Sequence, residues 1–249
     1  MIKQPITLLL LFIFIGTIHG FGDQTEYYNE ATTVMANKAS YDGSKIYLSG
    51  EVIIENKLGK AVAKEAILQK TEKKENPINF SFVELSGEVK VTLTDGKHLL
   101  CERVALDLIA LTSLFEGKKQ VFYQDEKEQI FADKVLIDYE KGENEKLSPQ
   151  KVTLMGHVQM KEKTNEGFRF ALADCAIIDP KTEKILLEGR EDRQVLFFDE
   201  QRKIQLAAKR IEAKRNTITG KESIQGFGAV KFVLAQEEFN KIKKSFSLS

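Results

Sequence analysis

Three features of this 249-residue chain predict an all-β fold built from repeated strand pairs of about 35 residues. The first is period-two alternation of apolar and polar residues in many separate stretches, the pattern of a strand with one buried face. The second is a glycine that recurs in the apolar phase of those stretches. The third is a small residue followed by a charged one, a motif that alternates with the first along the chain.

The opening segment is an exception and stands outside the fold. MIKQPITLLLLFIFIGTIHG has one charge, Lys3, then an apolar run from Leu8 to Ile15, then Gly16, Thr17 and Gly20. That order is a signal peptide's, over residues 1–20, and the run is shorter than the roughly 20 residues a spanning helix needs. A cut after Gly20 leaves bulky Ile18 where a small residue is preferred, whereas a cut after Gly22 places Gly20 and Gly22 at the small positions. The expected location is the periplasm; the alternative is an uncleaved inner-membrane anchor with the domain facing the periplasm. No cysteine follows the apolar run, which excludes an acylated lipoprotein start. Residues 21–34 form a lead-in.

The repeats then occupy residues 35–235. KIYLSGEVII puts Ile46, Leu48, Gly50, Val52 and Ile54 on one face. FVELSGEVKVTL does the same with Val83, Leu85, Gly87, Val89 and Val91, and KVTLMGHVQM with Val152, Leu154, Gly156, Val158 and Met160. SIQGFGAVKFVL places Ile224, Gly226, Gly228, Val230 and Phe232 in one phase, and weaker copies surround Gly117 and Gly189. The glycines at 50, 87, 117, 156, 189 and 226 are spaced by 37, 30, 39, 33 and 37 residues. Glycine weakens a strand, so its recurrence in the inward phase implies bends or close backbone approach, and Gly87 and Gly156 are expected on a concave face.

The second motif reads NKASYD at Asn37, AKEAIL at Ala63, CERVALD at Cys101, ADKVLIDY at Ala132, ADCAIID at Ala173 and AKRIEA at Ala208. Turn-like sequences at Leu58 to Lys60, Thr94 to Gly96, Asn165 to Gly167 and Asp179 to Thr182 separate the strands. Six units of paired strands result. A parallel β-helix and a twisted antiparallel jelly-roll both accommodate such a repeat.

Composition excludes several classes of function. Lys and Arg number 37 against 37 Asp and Glu, a balance unlike that of a general nucleic-acid binder. After the leader only His98 and His157 remain, in no HExxH or HxxxH pattern, and GxSxG and CxxC are missing. No catalytic residue, metal-ligand set or cofactor motif stands out, so a non-enzymatic role is expected. Cys101 and Cys175 permit one disulfide, but if each unit advances the stack by a strand their sulfurs lie too far apart, and free thiols are expected.

The paired motifs ADKVLIDY and VTLMGHVQM, echoed at Ile46 to Ile54 and Phe82 to Val91, resemble those of the OstA-like family of lipopolysaccharide-transport proteins. The resemblance runs from about Met35 to Leu234. It implies a twisted antiparallel V-shaped β-jelly-roll that holds the acyl chains of lipopolysaccharide in its cleft. It also implies docking, through strand edges, to like folds on inner- and outer-membrane transport proteins; an unclosed stack of strands leaves unpaired edges in any case, so head-to-tail association through at least one edge is expected. The lipid-binding wall would then be Ile46, Leu48, Val52, Ile54, Val83, Leu85, Val89, Val91, Val152, Leu154, Val158, Met160, Val230 and Phe232, widened by Gly50, Gly87, Gly156 and Gly228. A fully packed core gives the same alternation, and an exported structural or adhesive β-repeat protein without lipid cargo is the alternative. Two tracts depart from the family: Gln69 to Ser81, which reads as a solvated loop, and residues 236–249, where Phe239, Ile242 and Phe246 are spaced for a short amphipathic helix over the last edge.

Overall fold

The computed structural model describes residues 32–70, 80–142, 147–164, 167–190, 192–215 and 221–233. The leader, most of the lead-in, the centre of the 69–81 loop, the 165–166 turn and the 236–249 tail lie outside the described residues. Among the described residues there is no helix, and sixteen strands form a single antiparallel sheet.

Eight of these strands are long: β3 (Lys45–Asn56), β4 (Gly59–Lys70), β5 (Phe80–Leu93), β6 (His98–Asp107), β7 (Thr112–Gln124), β8 (Glu128–Lys141), β9 (Leu147–Thr164) and β10 (Gly167–Asp179). The other eight join end to end as the halves of four more. They are β1 (Thr33–Met35) with β2 (Lys38–Tyr41), β11 (Lys184–Glu188) with β12 (Val195–Asp199), β13 (Ile204–Ala208) with β14 (Arg210–Arg215), and β15 (Glu222–Phe227) with β16 (Lys231–Val233). With each pair of halves counted as one strand, every strand pairs with its sequence neighbour, so the described residues form a meander that runs from the β1/β2 edge to the β15/β16 edge without closing. This is the expected all-β, antiparallel, six-unit arrangement, and it discards the parallel β-helix.

Aspartate side chains set several of the hairpins. Asp42, Asp107, Asp125 and Asp179 each accept backbone N–H bonds from the residues two and three positions on, at 2.7–3.1 Å. Such a carboxylate mimics a backbone turn and fixes where the strand reverses, and therefore which face each later residue takes.

Every long strand breaks its ladder at one common level, and these breaks line up across the sheet; β4–β5 and β8–β9 carry a second irregularity, at Gln69/Lys70 and Asp138/Tyr139. Ser49 pairs with Glu65 and Val52 with Ala63, leaving Gly50 and Glu51 opposite Lys64 alone. The same two-against-one bulge places Gly87 and Glu88 against Glu102, and Gly156 and His157 against Asp174. In each pair both residues have positive φ, 80° and 54° at Gly87 and Glu88 and 73° and 44° at Gly156 and His157. A bulge of this kind bends the strand, and only glycine takes the first position without strain. A row of such bulges is a crease that divides the sheet into two arms.

The crease explains the second sequence motif. On β4, β6 and β8 the buried positions run Ala61, Ala63, then Ala66, Leu68; Leu99, Cys101, then Val104, Leu106; and Ile130, Ala132, then Val135, Ile137. The inward phase therefore slips by one residue at the crease on these strands, while β3, β5 and β9 keep it through their glycine. The small residue of the motif packs inside the corner, where the arms are closest, and the charged residue after it lies on the outer ridge. Lys64 pairs there with Glu88 at 2.7 Å, His157 with Asp133 at 2.8 Å and Arg193 with Asp174 at 2.7 Å.

Two expectations are corrected by this geometry. A Cβ built on Gly87 would meet the Lys64 side chain at 2.8 Å, and one on Gly156 would meet the Asp133 carboxylate at 2.1 Å. These glycines therefore make room for the ridge and turn the strand; they do not widen a wall. In the last unit the corner is Gly228, with Ala229, both at positive φ; Gly226 lies inside β15 opposite Ile211.

Cys101 and Cys175 are free. They sit on strands four apart in the sheet, a separation of about 19 Å at the usual strand spacing, and on opposite sides of the crease. Burial pushes the Cys101 thiol up to about 12 and raises that of Cys175. Intact mass after alkylation without reductant is expected to show modification of the native protein at Cys175 first and at both cysteines after unfolding. A mass that shows no label until a reductant is added contradicts the fold.

Candidate functional site

The two arms face each other, and their inward residues form rows parallel to the crease. On one arm Ile130, Met160, Ala171 and Phe197 are neighbours in register on adjacent strands; on the other, Val152, Ile178, Ile185, Ala213 and Ile224. Between them lies a cavity of about 140 Å³. A single water needs only about 15 Å³ on this measure, so the space holds far more than a packing defect. In the middle of the stack the arms close. Phe115, Val121, Ile137 and Leu154 leave a void of about 10 Å³ there, too small for one water.

The next inward row outward from the crease is charged on both arms. Glu128, Glu162, Arg169 and Asp199 follow one another in register on one lip, and Glu183, Arg215 and Glu222 stand on the other. Arg169 crosses the gap. Its Nη2 donates to Glu222 Oε2 at 2.7 Å and its Nη1 to Oε1 at 3.2 Å, while its Nε donates to Asp199 Oδ2 at 3.1 Å. Arg202 reaches the same two carboxylates at 3.4 and 3.6 Å. Against the cost of burial, the hydrogen bond from Arg169 holds Glu222 below the usual carboxylate range. Glu162 is raised, chiefly by burial.

Glu128 is the lip's unusual member. Burial, then the nearby carboxylates of Asp125 and Glu162, push it up to about 8, with Lys127 opposing weakly. The native state keeps a proton that the unfolded chain releases above its ordinary value of 4.5, so this group's contribution to stability falls as the pH rises from 4.5 to about 8 and is constant beyond. Glu128→Gln is expected to stabilise the protein by about 2 kcal/mol at pH 8 and to change little at pH 4.5. Urea midpoints at the two pH values measure this; a gain of equal size at both refutes it.

The sequence-predicted wall divides into three groups. Val152 and Met160 line the cavity. Leu48, Val52, Ile54, Val83, Leu85, Val89, Val91, Leu154 and Val158 are buried where the arms meet, with Ile46 packed against them. Val230 and Phe232 are 51% and 57% exposed at the open β15/β16 end. Phe232 keeps the inward phase opposite Leu206, and among the described residues no further strand covers it. The β1/β2 end is alike, with Val34 and Tyr41 in the inward phase at 44% and 55% exposure. Sequence reasoning missed Ile178, Ile185, Phe197 and Arg169. For Arg169 a signal existed: it shares the phase of Ala171 and Ala173, an inward charge at a strand's end.

No family model matches the chain, and no curated protein does. Among solved structures, similarity is found to the crystal structure of LptH, the LptA-homologous periplasmic component of the lipopolysaccharide transport device from Pseudomonas aeruginosa. It covers 57% of this chain and 96% of that one, at 12% identity and a TM-score of 0.45. Among the described residues, no group of three or more His, Cys, Asp or Glu is placed to hold a metal ion, and no helix is long and apolar enough to cross a membrane.

Proposed function

We propose that this chain is a periplasmic, non-enzymatic lipid carrier. In this reading the creased sheet is a V-shaped jelly-roll whose cleft shields the acyl chains of lipopolysaccharide. Its two ends dock to like folds on inner- and outer-membrane transport proteins, or head to tail on a second copy. The observation that carries the reading is the layering of the cleft: apolar rows deep between the arms, a charged row at the lip, and, among the described residues, exposed inward-phase apolar side chains at both ends. A methylene moved from water onto such a wall contributes roughly 0.8 kcal/mol, and an unpaired strand edge is a template for another strand. The resemblance of the paired motifs to the OstA-like family points to the same task.

The wall is then concentrated in the C-terminal half, at Val152, Met160, Ile178, Ile185, Phe197 and Ile224, and continues to Phe232 and Val230. One observation favours the structural or adhesive alternative: the solid packing around Phe115. The two separate by experiment. Lipid extracted from protein purified out of its native envelope should contain lipopolysaccharide, and photo-crosslinking residues at Ser40 and Lys231 should capture transport components of the two membranes. Protein that carries no lipid and crosslinks only to abundant unrelated proteins contradicts the proposal.

A further inference from the structure

We propose that the Arg169–Glu222 bridge is a head-group gate: an anionic amphiphile enters the cleft with its acyl chain between the arms and exchanges its phosphate or carboxylate for Glu222 on Arg169 and Arg202. This rests on the lipid-carrier reading and adds where the ligand enters and what its head must be.

The bridge spans the arms at the mouth of the 140 Å³ cavity, linking β10 to β15 across 53 residues of sequence. Arg169 has a side chain only 15% exposed, and its guanidinium holds Glu222 by two nitrogens, the fork geometry that phosphates and carboxylates share. Apolar residues stand immediately behind it, since Ala171 and Phe197 lie in the next inward row beside Arg169 and Asp199. A chain inserted there brings its head group to the height of Arg169. Glu222 comes from the opposite arm, so replacing it by a ligand oxygen frees that arm. Asp199, 0% exposed, stays with Arg169 Nε and with the Arg202 backbone N–H. The exchange therefore keeps Arg169 anchored while its outer face changes partner.

The test uses the mature chain and three single-chain probes of equal acyl length: a lysophosphatidic acid, a monoacylglycerol and an alkylammonium, with affinities from calorimetry. The wild type is expected to prefer the phosphate probe. Glu222→Gln, which releases both arginines and leaves Asp199 paired, should tighten that probe about tenfold and leave the monoacylglycerol within about twofold. Arg202→Gln, at a half-exposed site, should weaken the phosphate probe alone. If the three probes bind alike and Glu222→Gln moves none of them, or all of them together, the gate is refuted while the lipid-carrier reading stands. Preference for the alkylammonium also refutes the gate. If no probe binds any of these proteins, both readings fall.

Discussion

Gly156→Val is expected to destabilise the protein by about 3–5 kcal/mol. Two costs add at this corner. The backbone sits at φ +73°, followed by His157 at +44°, a conformation in which a β-branched residue is strained by about 1–2 kcal/mol. The new Cβ would also lie 2.1 Å from Asp133 Oδ2 and 2.9 Å from the Asp133 Cβ. Swinging the carboxylate away does not relieve the second contact, and it breaks the 2.8 Å bond to His157 Nδ1. Gly96→Ala is the control, because Gly96 has φ +82° with nothing within 4 Å of a built Cβ. It should lose only about 1 kcal/mol, the strain without the clash. Urea unfolding of both variants decides the matter; equal losses would mean that the crease has no steric requirement at its glycine.

The second large effect is expected at Phe115. Its ring is fully buried where the arms meet and borders the 10 Å³ void. Removing it leaves a hole that close-packed neighbours fill poorly, and Phe115→Ala should cost about 3–5 kcal/mol. Ile178→Ala is the comparison. Ile178 is only half-buried and borders the larger cavity, so fewer contacts are lost and the expected cost is about 1–2 kcal/mol. Denaturant midpoints of the two variants thus measure where the interior is core and where it is cleft. Similar losses at the two sites would contradict the difference in width between the middle and the C-terminal half.

The repeat of paired strands and their inward phase were legible because both are local. Val83, Leu85, Val89 and Val91 alternate through Gly87, and the chain keeps that alternation in the sheet. The six units and the free cysteines follow from it, whereas the choice of an antiparallel meander over a parallel β-helix does not, because alternation is the same in both. On β4, β6, β8 and β10 the alternation does not carry through. The slip after Ala63, Cys101, Ala132 and Ala173 depends on a two-against-one bulge, and whether one residue or two stand in a bulge is decided by the partner strand. The choice of Gly228 over Gly226 as the last corner belongs with it, since either keeps the inward phase and only Lys209 across the ladder distinguishes them: its N–H donates to Gly228 O at 3.1 Å.

The candidate site was the least legible part. Arg169 and Glu222 are 53 residues apart and meet only because the crease turns one arm onto the other. Alternation also assigns Leu154 and Met160 to one wall without revealing that the first lies where the arms touch and the second where they part. Periodicity along a strand reports which face a side chain takes. The width of the space it faces is set by the opposite arm, so the sequence determined the faces and the tertiary structure alone decided where between them a cleft exists.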